Sequence, residues 1–218
     1  MMRYGIFLLL LISFSVFVEN ENVEYEWKEK RNPDGISIST SKVAGSPYRA
    51  VKGVMIANGT VNSYVPLIQD LTACPKICKK AELIKRVSEK ETYSYIYYDI
   101  AFPIRDRDIY ARVSWEIDET NGKVSLTSVA QTSTEEVPKF QRKRGVIRLK
   151  QATSQWHFTP KPNGMVLVES FAHINPSGPM PAWITNMIIV NSPFQTLKRV
   201  RSIVKSGAYD NKTVSFLK

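Results

Sequence analysis

The chain has 218 residues, of which 43% are hydrophobic and 23% are charged. This is the size and composition of one globular domain with a sizeable core, and no internal repeat, low-complexity tract or linker divides it. The net charge of +10 favours acidic partners such as anionic lipid headgroups or nucleic acid, but it does not choose between them.

The N-terminus is typical of a targeting segment. Arg3 precedes an apolar run over residues 6–18, which is too short to span a membrane comfortably and suits a signal peptide. No Ala-x-Ala cleavage pattern follows it, so an uncleaved membrane anchor is the alternative. We expect residues 1–18 to be the signal peptide or anchor and residues 19–218 to form a single domain. The protein would then be periplasmic or lie in the cell envelope.

The next elements combine strands with one helix. Alternation and turn signals predict strands at residues 36–43, 48–57, 81–88 and 92–101. A helix is predicted at residues 59–71 from apolar residues three and four apart. Cys74 and Cys78 lie just beyond it, and a roughly helical turn would put their Cα atoms about 6 Å apart. We expect a disulfide, with free thiols as the alternative.

The second half of the chain predicts more strands and a closing helix. The strands are predicted at residues 109–116, 123–133, 146–159 and 165–175, and the second of these follows an Asn121-Gly122 turn. The closing helix should begin at Pro181 and run to Lys205, with Pro193 kinking or splitting it near Val190. Successive antiparallel strands joined by short turns predict a meander that curls around this helix.

Three segments resemble the START domain family of lipid-transfer-related proteins, in particular its bacterial exported members. They are residues 102–108 (FPIRDRD), residues 156–160 (WHFTP), and residues 175–178 with 181–186 (NPSG and PAWITN). The resemblance in order and spacing runs from about residue 26 to residue 205. The family's loop before the last helix usually reads Asp-Pro-Gly-Gly, whereas here it keeps the turn but has no acid.

The resemblance implies an α+β helix-grip fold, in which a curved antiparallel sheet wraps around a long C-terminal helix. It also implies an apolar tunnel that binds, and in some members transfers or senses, a lipid or other hydrophobic ligand without catalysis. Two alternatives are a cyclase- or hydratase-type enzyme of the same superfamily and an envelope protein-interaction domain with a filled core. We expect a monomer with no cofactor and no metal.

Strand alternation predicts which side chains face the interior. On residues 109–116, for example, Val113 and Trp115 share the apolar face, opposite Arg112 and Glu116. The predicted cavity-lining set is Ile96, Tyr98, Ile100, Val113, Trp115, Val168, Ser170, Ile184, Met187 and Ile188. A filled core needs the same residues, although the polar groups of Tyr98 and Ser170 favour a cavity that orients a ligand.

The sequence contains no recognisable catalytic motif. His157 and His173 have no carboxylate or nucleophile at a telling spacing, so we expect both to be structural or surface residues. The charged run over residues 105–108 fits a salt-bridged strand start or, alternatively, an anchor at a cavity mouth.

A basic loop and a hinge complete the functional expectations. The loop suits an anionic membrane surface, since each cation there contributes about 1 kcal/mol, although it could equally be solvated charge. Its docking residues are Lys139, Phe140, Arg142, Lys143 and Arg144. Nucleic acid is disfavoured, because no stacking aromatics alternate with the cations. Residues 175–180 should act as a hinge that opens the cavity.

Overall fold

A ten-stranded sheet forms most of the structure. The structure is a computed structural model that describes residues 25–76, 78–100, 104–132, 144–178, 180 and 182–217, with backbone alone at residues 75, 76, 182, 183, 186 and 187. The strands are β1 (Lys28–Arg31), β2 (Ile36–Val43), β3 (Ser46–Asn58), β4 (Lys80–Ser88), β5 (Glu91–Tyr98), β6 (Arg107–Asp118), β7 (Lys123–Ala130), β8 (Ile147–Arg148), β9 (Ala152–Lys161) and β10 (Met165–Ile174). The helices are α1 (Val61–Gln69), a 3₁₀ helix (Leu71–Lys76) and α2 (Ala182–Lys205).

The strand order is β1-β2-β3-β10-β9-β7-β6-β5-β4. All pairs along this path are antiparallel, and β8 alone pairs in parallel, with the first residues of β6. The sheet is therefore not the simple meander expected from the sequence. Strand β3 pairs with β10, and α1 with the 3₁₀ helix carries the chain from β3 to β4 at the far edge.

One face of the sheet, here called the inner face, meets both helices. The cross-strand pairs place Met55 opposite Val168, Val168 opposite Phe158 and Phe158 opposite Val124, and all four side chains are buried. Helix α2 approaches β2 and β3 most closely, while α1 packs on β9 and α2. A curved antiparallel sheet that grips a long C-terminal helix is the predicted helix-grip fold, which the structure confirms.

The predicted strand at residues 146–159 is wrong, because the chain forms two strands there. Ile147 donates a backbone hydrogen bond to Asp106, and Leu149 donates one to Asp108, so β8 is held beside β6. Strand β9 then starts at Ala152 and pairs with β7 and β10. The separation of β8 from β9 arises because β8 pairs with β6, 40 residues earlier in the chain. Local alternation of side chains cannot predict such a pairing.

Two other predicted boundaries also change. Helix α2 is not split at Pro193, since it runs unbroken from Ala182 to Lys205. Pro193 has no backbone N–H, so the helix lacks one hydrogen bond there. The buried side chains of Phe194 and Leu197 pack the following turns against the sheet. The charged lead-in before Asn32 also forms a strand, β1, on β2.

The predicted disulfide between Cys74 and Cys78 is present, with a Cα–Cα distance of 4.8 Å. It closes the end of the 3₁₀ helix just before β4. The predicted signal peptide or anchor at residues 1–18 lies outside the described residues. None of the helices in the described part of the chain is both long enough and apolar enough to cross a bilayer.

Candidate functional site

Side-chain size changes along the inner face. Near the turns that follow β6 and β9, the paired inner residues are large, with Trp115 opposite Leu126 and Leu126 opposite Trp156. One pleat further toward the other end, Ser128 lies opposite Ser154, and Ser154 lies opposite Ala172. On β6, β7 and β9, the inner-face side chains are therefore large toward the turn end and smaller toward the other end.

The C-terminal half of α2 fills the bulky end. A Cβ atom added to Gly53 of β3 would lie 2.6 Å from Cδ1 of Leu197, so glycine permits this close helix–sheet contact. Phe194, Val200 and Val204 of the same half are also buried. A Cβ on Gly59, nearer the turn end, would lie 2.8 Å from Cγ1 of Val204, so the N-terminal half of α2 runs from Leu197 toward the opposite end of the sheet.

The small residues are not sealed beneath the helix. Six inner-face side chains around this region remain partly exposed, and we call them the inner patch: Val113, Ser128, Ser154, Trp156, Ser170 and Ala172. The patch combines apolar surface with serine hydroxyl groups, which is the usual lining of a site for an apolar ligand.

Arg107 fastens the loop that leads into α2. It pairs with Tyr98 on the inner face and is only 3% exposed. Its Nε donates to the carbonyl oxygen of Pro176 at 3.3 Å and its Nη2 to that of Ser177 at 3.4 Å, while Nη1 donates to the carbonyl of Arg105. The side chain thus joins the start of β6 to the chain just before α2.

The loop itself has a defined turn. Ser177 has a φ of 54°, which is held by a 3.0 Å bond from its N–H to Oδ1 of Asn175. The Asn175 N–H donates to the carbonyl of Gln151 at 2.8 Å. A Cβ on Gly178 would lie 3.2 Å from Cδ1 of Ile147, so β8 also packs close to the loop. These contacts position the start of α2 at the end of the sheet where β6 and β8 begin.

Asp108 points to the opposite face from Arg107. Its two carboxylate oxygens accept hydrogen bonds from Nε and Nη2 of Arg148 at 2.6 and 2.8 Å. The side chains of Asp108 and Arg148 are 2% and 13% exposed, and the Arg148 guanidinium lies 4.4 Å from the Tyr110 ring centre. This buried ion pair fixes β8 on β6, as expected for a salt-bridged strand start.

The electrostatics of the two arginines differ accordingly. Burial lowers the pKa of Arg107, and the nearby charge of Arg105 lowers it further. The hydrogen bonds to Asp108 raise the pKa of Arg148 in spite of its burial. Both side chains stay protonated at neutral pH, because the ordinary pKa of an arginine lies far above 7. Arg107 is consequently a buried cation that the described residues satisfy through carbonyl dipoles.

The histidines lie away from the inner patch. His157 faces the outer side of the sheet, where its Nδ1 is 2.9 Å from Oγ of Ser125, directly opposite it on β7. Burial lowers the pKa of His157, followed by the charge of Lys123. Nε2 of His173 is 3.0 Å from Oγ of Ser46. Among the described residues, no three acidic, histidine or cysteine side chains form a metal-binding group.

A separate cleft of about 750 Å³ opens at the turn end of the sheet. It lies between the N-terminus of α1, the hairpin turns and the C-terminal tail, where Phe216 packs 5.6 Å from the Trp115 ring. Lys90 and Lys161 are among the residues that line it. None of the predicted lining residues contributes to this cleft, so it is a different surface from the inner patch.

The structure places six of the ten predicted lining residues on the inner face of the sheet: Ile96, Tyr98, Val113, Trp115, Val168 and Ser170. Val113 and Ser170 belong to the inner patch. Val168 is 0% exposed and Trp115 is 5% exposed, so both are packed core residues at the bulky end.

The other four lining residues have separate outcomes. Ile184 of α2 is buried and Ile188 is half-buried, whereas the side chain of Met187 lies outside the described residues. Ile100 was assigned wrongly to a strand, because β5 ends at Tyr98. The N–H of Ile100 instead donates to Oδ1 of Asp106 at 3.0 Å, beyond the last β5–β6 pair at Tyr98 and Arg107.

Most of the predicted docking loop cannot be placed. Lys139, Phe140, Arg142 and Lys143 lie outside the described residues, and Arg144 is exposed just before β8. Arg105 donates to the carbonyl of Gly145 at 3.0 Å. Arg144 therefore lies at the same end of the sheet as the loop before α2.

Ser128 and Ser154 are not in the predicted lining set, although the sequence contains a signal for them. Each continues the inner-face alternation of its strand past bulky residues, from Leu126 to Ser128 and from Trp156 to Ser154. A change from large to small side chains along one face marks where packing stops. This change in size identifies a common surface only when β7 and β9 are known to be neighbouring strands.

Comparisons with known proteins agree with this architecture. The family model described as START domain matches residues 17–208. The chain is 26% identical to the uncharacterized protein PA1579 of Pseudomonas aeruginosa over 202 residues, covering 91% of this chain and 96% of that one. It is 30% identical to the phosphatidylcholine transfer protein of Bos taurus over 118 residues, which is 54% of each chain.

A solved structure shares the fold as well. A fragment of the STAR-related lipid transfer protein from Xanthomonas axonopodis superposes with a TM-score of 0.72 and 25% identity, covering 82% of this chain and 98% of that fragment. The family model spans most of the chain, and the resemblance seen in its RDRD and NPSG segments is confirmed. The protein belongs to the START domain family.

Proposed function

We propose that this protein binds a lipid or other hydrophobic ligand non-covalently on the inner patch, under the N-terminal half of α2. One observation carries the proposal: six inner-face side chains of central strands stay partly exposed where a packed core would bury them. The lipid transfer proteins among its relatives support the same ligand class.

Burial of a modest apolar area of the ligand would be sufficient for measurable binding. A ligand that buries about 300 Å² of apolar area gains about 7 kcal/mol at ~25 cal/mol/Å², before the costs of association. The hydroxyls of Ser128, Ser154 and Ser170 would orient a polar group of the ligand by hydrogen bonding. Such a site selects an amphiphile by shape and by a few polar contacts.

Binding without catalysis is favoured over a cyclase- or hydratase-type activity. An enzyme of that kind needs a positioned acid or base near the substrate. His157 faces the outer side of the sheet and His173 hydrogen bonds to Ser46, so neither is on the inner patch. The partial exposure of the patch also argues against a protein-interaction domain with a filled core.

We extend the proposal to access and location. The turn of residues 175–180 would act as a hinge for α2, with Arg107 holding it shut through the carbonyls of Pro176 and Ser177. The basic loop of residues 139–144 would hold the mouth against an anionic bilayer. The Cys74–Cys78 disulfide favours an oxidising compartment, in keeping with export to the cell envelope.

A matched pair of substitutions tests the binding site. Ser154→Phe adds a ring to the inner patch, and Gln155→Phe adds the same ring next to it on the outer face of β9. A phenyl group that displaces about 100 Å² of apolar ligand contact costs about 2.5 kcal/mol, close to a hundredfold in affinity. We expect Ser154→Phe, but not Gln155→Phe, to weaken binding of a fluorescent phospholipid by this factor.

Thermal unfolding of both variants is the control for folding. If Ser154→Phe folds and still binds the phospholipid as the wild type does, the ligand does not occupy the inner patch. Failure of the wild-type protein to bind any lipid, sterol or aromatic probe would overturn the function itself.

A further inference from the structure

Strand β4 exposes apolar side chains at the edge of the sheet. It pairs with β5 on one side and ends the strand order, so its other side carries no strand from the described chain. Leu83, Ile84 and Val87 are 46%, 41% and 43% exposed. Single exposed aliphatic residues are common on protein surfaces, but here three lie within five residues of one edge strand, and we call them the β4 patch.

Cations surround this patch. Residues 79–90 contain five basic and two acidic residues, a net charge of +3 over twelve positions. Lys79 forms an exposed ion pair with Asp99 at 3.0 Å, and Lys80 pairs with Glu82. Arg86 and Lys90 are exposed near Val87. The edge therefore presents aliphatic groups within a positively charged border.

The geometry disfavours a second strand as the occupant. The pairing of β4 with β5 shifts register between Leu83 and Lys85 and again between Arg86 and Ser88. Bulges and lysines at an edge prevent another strand from adding in register. Two copies of this chain would also bring like charges together. An anionic bilayer needs no register and is attracted by the same cations.

We propose that the β4 edge, comprising Leu83, Ile84 and Val87 with the cations of residues 79–90, docks on an anionic membrane surface. The aliphatic side chains would enter the region between headgroups and acyl chains, and the cations would contact lipid phosphates. These residues are different from those of the basic loop at 139–144, and the proposal stands without the ligand proposed above.

The position of β4 gives the docking a consequence. Lys80 pairs with Tyr97, and the next residue of β5, Tyr98, pairs with Arg107. The start of β4 is thus two strands away from the arginine that fastens the loop before α2. A bilayer on the β4 edge would lie beside that end of the inner face, so a lipid leaving the membrane would have a short path to the patch.

The test is sedimentation of the full-length chain with vesicles of phosphatidylglycerol and phosphatidylcholine in equal amounts. One variant replaces Leu83, Ile84 and Val87 with serine, and the second replaces Lys85, Arg86 and Lys90 with glutamine. The matched control is Ile56→Ser, because Ile56 is 56% exposed but lies on β3, far across the sheet. Every variant keeps residues 1–18, so any contribution of that apolar segment cancels.

We expect each β4 variant to bind these vesicles at least about tenfold more weakly than the wild type, with Ile56→Ser unchanged. High salt should weaken wild-type binding more than it weakens binding of the glutamine variant, which has lost three of the cations. Equal sedimentation of all variants would overturn the proposal. So would a wild-type dimer in light scattering that the serine variant abolishes, because the occupant would then be a second copy. Binding of soluble fluorescent phospholipid should stay unchanged in both β4 variants, which separates this test from that of the ligand site.

Discussion

The Asp108–Arg148 pair allows a quantitative stability prediction. Asp108→Asn keeps the shape of the side chain but removes its negative charge. In the wild type, that carboxylate accepts two hydrogen bonds from Arg148, at 2.6 and 2.8 Å. Removing one partner of a buried ion pair costs about 3–5 kcal/mol, because the other charge stays buried. Arg148 keeps 13% exposure and its contact with the Tyr110 ring, so we expect the lower end, about 3 kcal/mol.

The assay is urea and thermal unfolding of Asp108→Asn, compared with the same measurement on a variant of an exposed ion pair of similar geometry. About 3 kcal/mol corresponds to a fall in Tm of roughly 6–12 °C for a domain of this size. Arg112 and Glu91 have the same two-bond geometry, at 2.9 Å for each bond, but the Arg112 side chain is 51% exposed. Glu91→Gln should therefore cost less than about 1 kcal/mol.

Comparing the two ion pairs tests whether burial makes the Asp108–Arg148 pair important for stability. The free energy of unfolding should fall at least twice as far in Asp108→Asn as in Glu91→Gln. In addition, Asp108→Leu combined with Arg148→Met should be more stable than Asp108→Leu alone, since no unpaired cation remains. Equal effects of Asp108→Asn and Glu91→Gln would refute the claim that burial makes this pair important.

Two further outcomes concern the proposed docking loop and acid stability. Replacing residues 142–144 with serine should weaken binding to anionic vesicles and slow lipid loading, as high salt should, and an unchanged loading rate would mean that the loop is solvated surface. Burial opposes ionisation of Asp70, but hydrogen bonds from Thr72 and Tyr209 outweigh it and lower its pKa below the usual 3.8. Its stabilising contribution is therefore complete at neutral pH and lost as the pH falls through that lowered pKa. Asp70→Asn should destabilise the protein at pH 7 more than at pH 3 in urea unfolding, and equal losses would show that the carboxylate charge is unimportant.

Local patterns predicted most of the fold. Alternation placed Val113 and Trp115 on one face, and the register confirms that this face meets the helices. Pro181 and the apolar spacing after it predicted the closing helix, which begins at the next residue. These features depend on neighbours within a few positions, which is the range over which sequence periodicity carries information.

The site depends on contacts that no local pattern contains. Trp115 and Val113 are equally apolar and two residues apart, yet Trp115 is packed and Val113 is partly exposed. The difference arises because Trp115 lies between Leu126 and the ring of Phe216 from the C-terminal tail, whereas Val113 pairs with Ser128. The split between β8 and β9 likewise depends on Asp108. Strand order and long-range pairing therefore had to be known before the inner patch could be found.

Photo-crosslinking with a diazirine-labelled phospholipid tests most directly whether a lipid occupies the inner patch. After illumination and digestion, the adducts should map to peptides that contain Ser128, Ser154 and Ala172, and an unlabelled lipid should compete with them. Ser154→Phe should remove these adducts, while Gln155→Phe should leave them in place. Adducts confined to the β4 edge or to the turn-end cleft around Lys161, with none on the patch, would contradict the account.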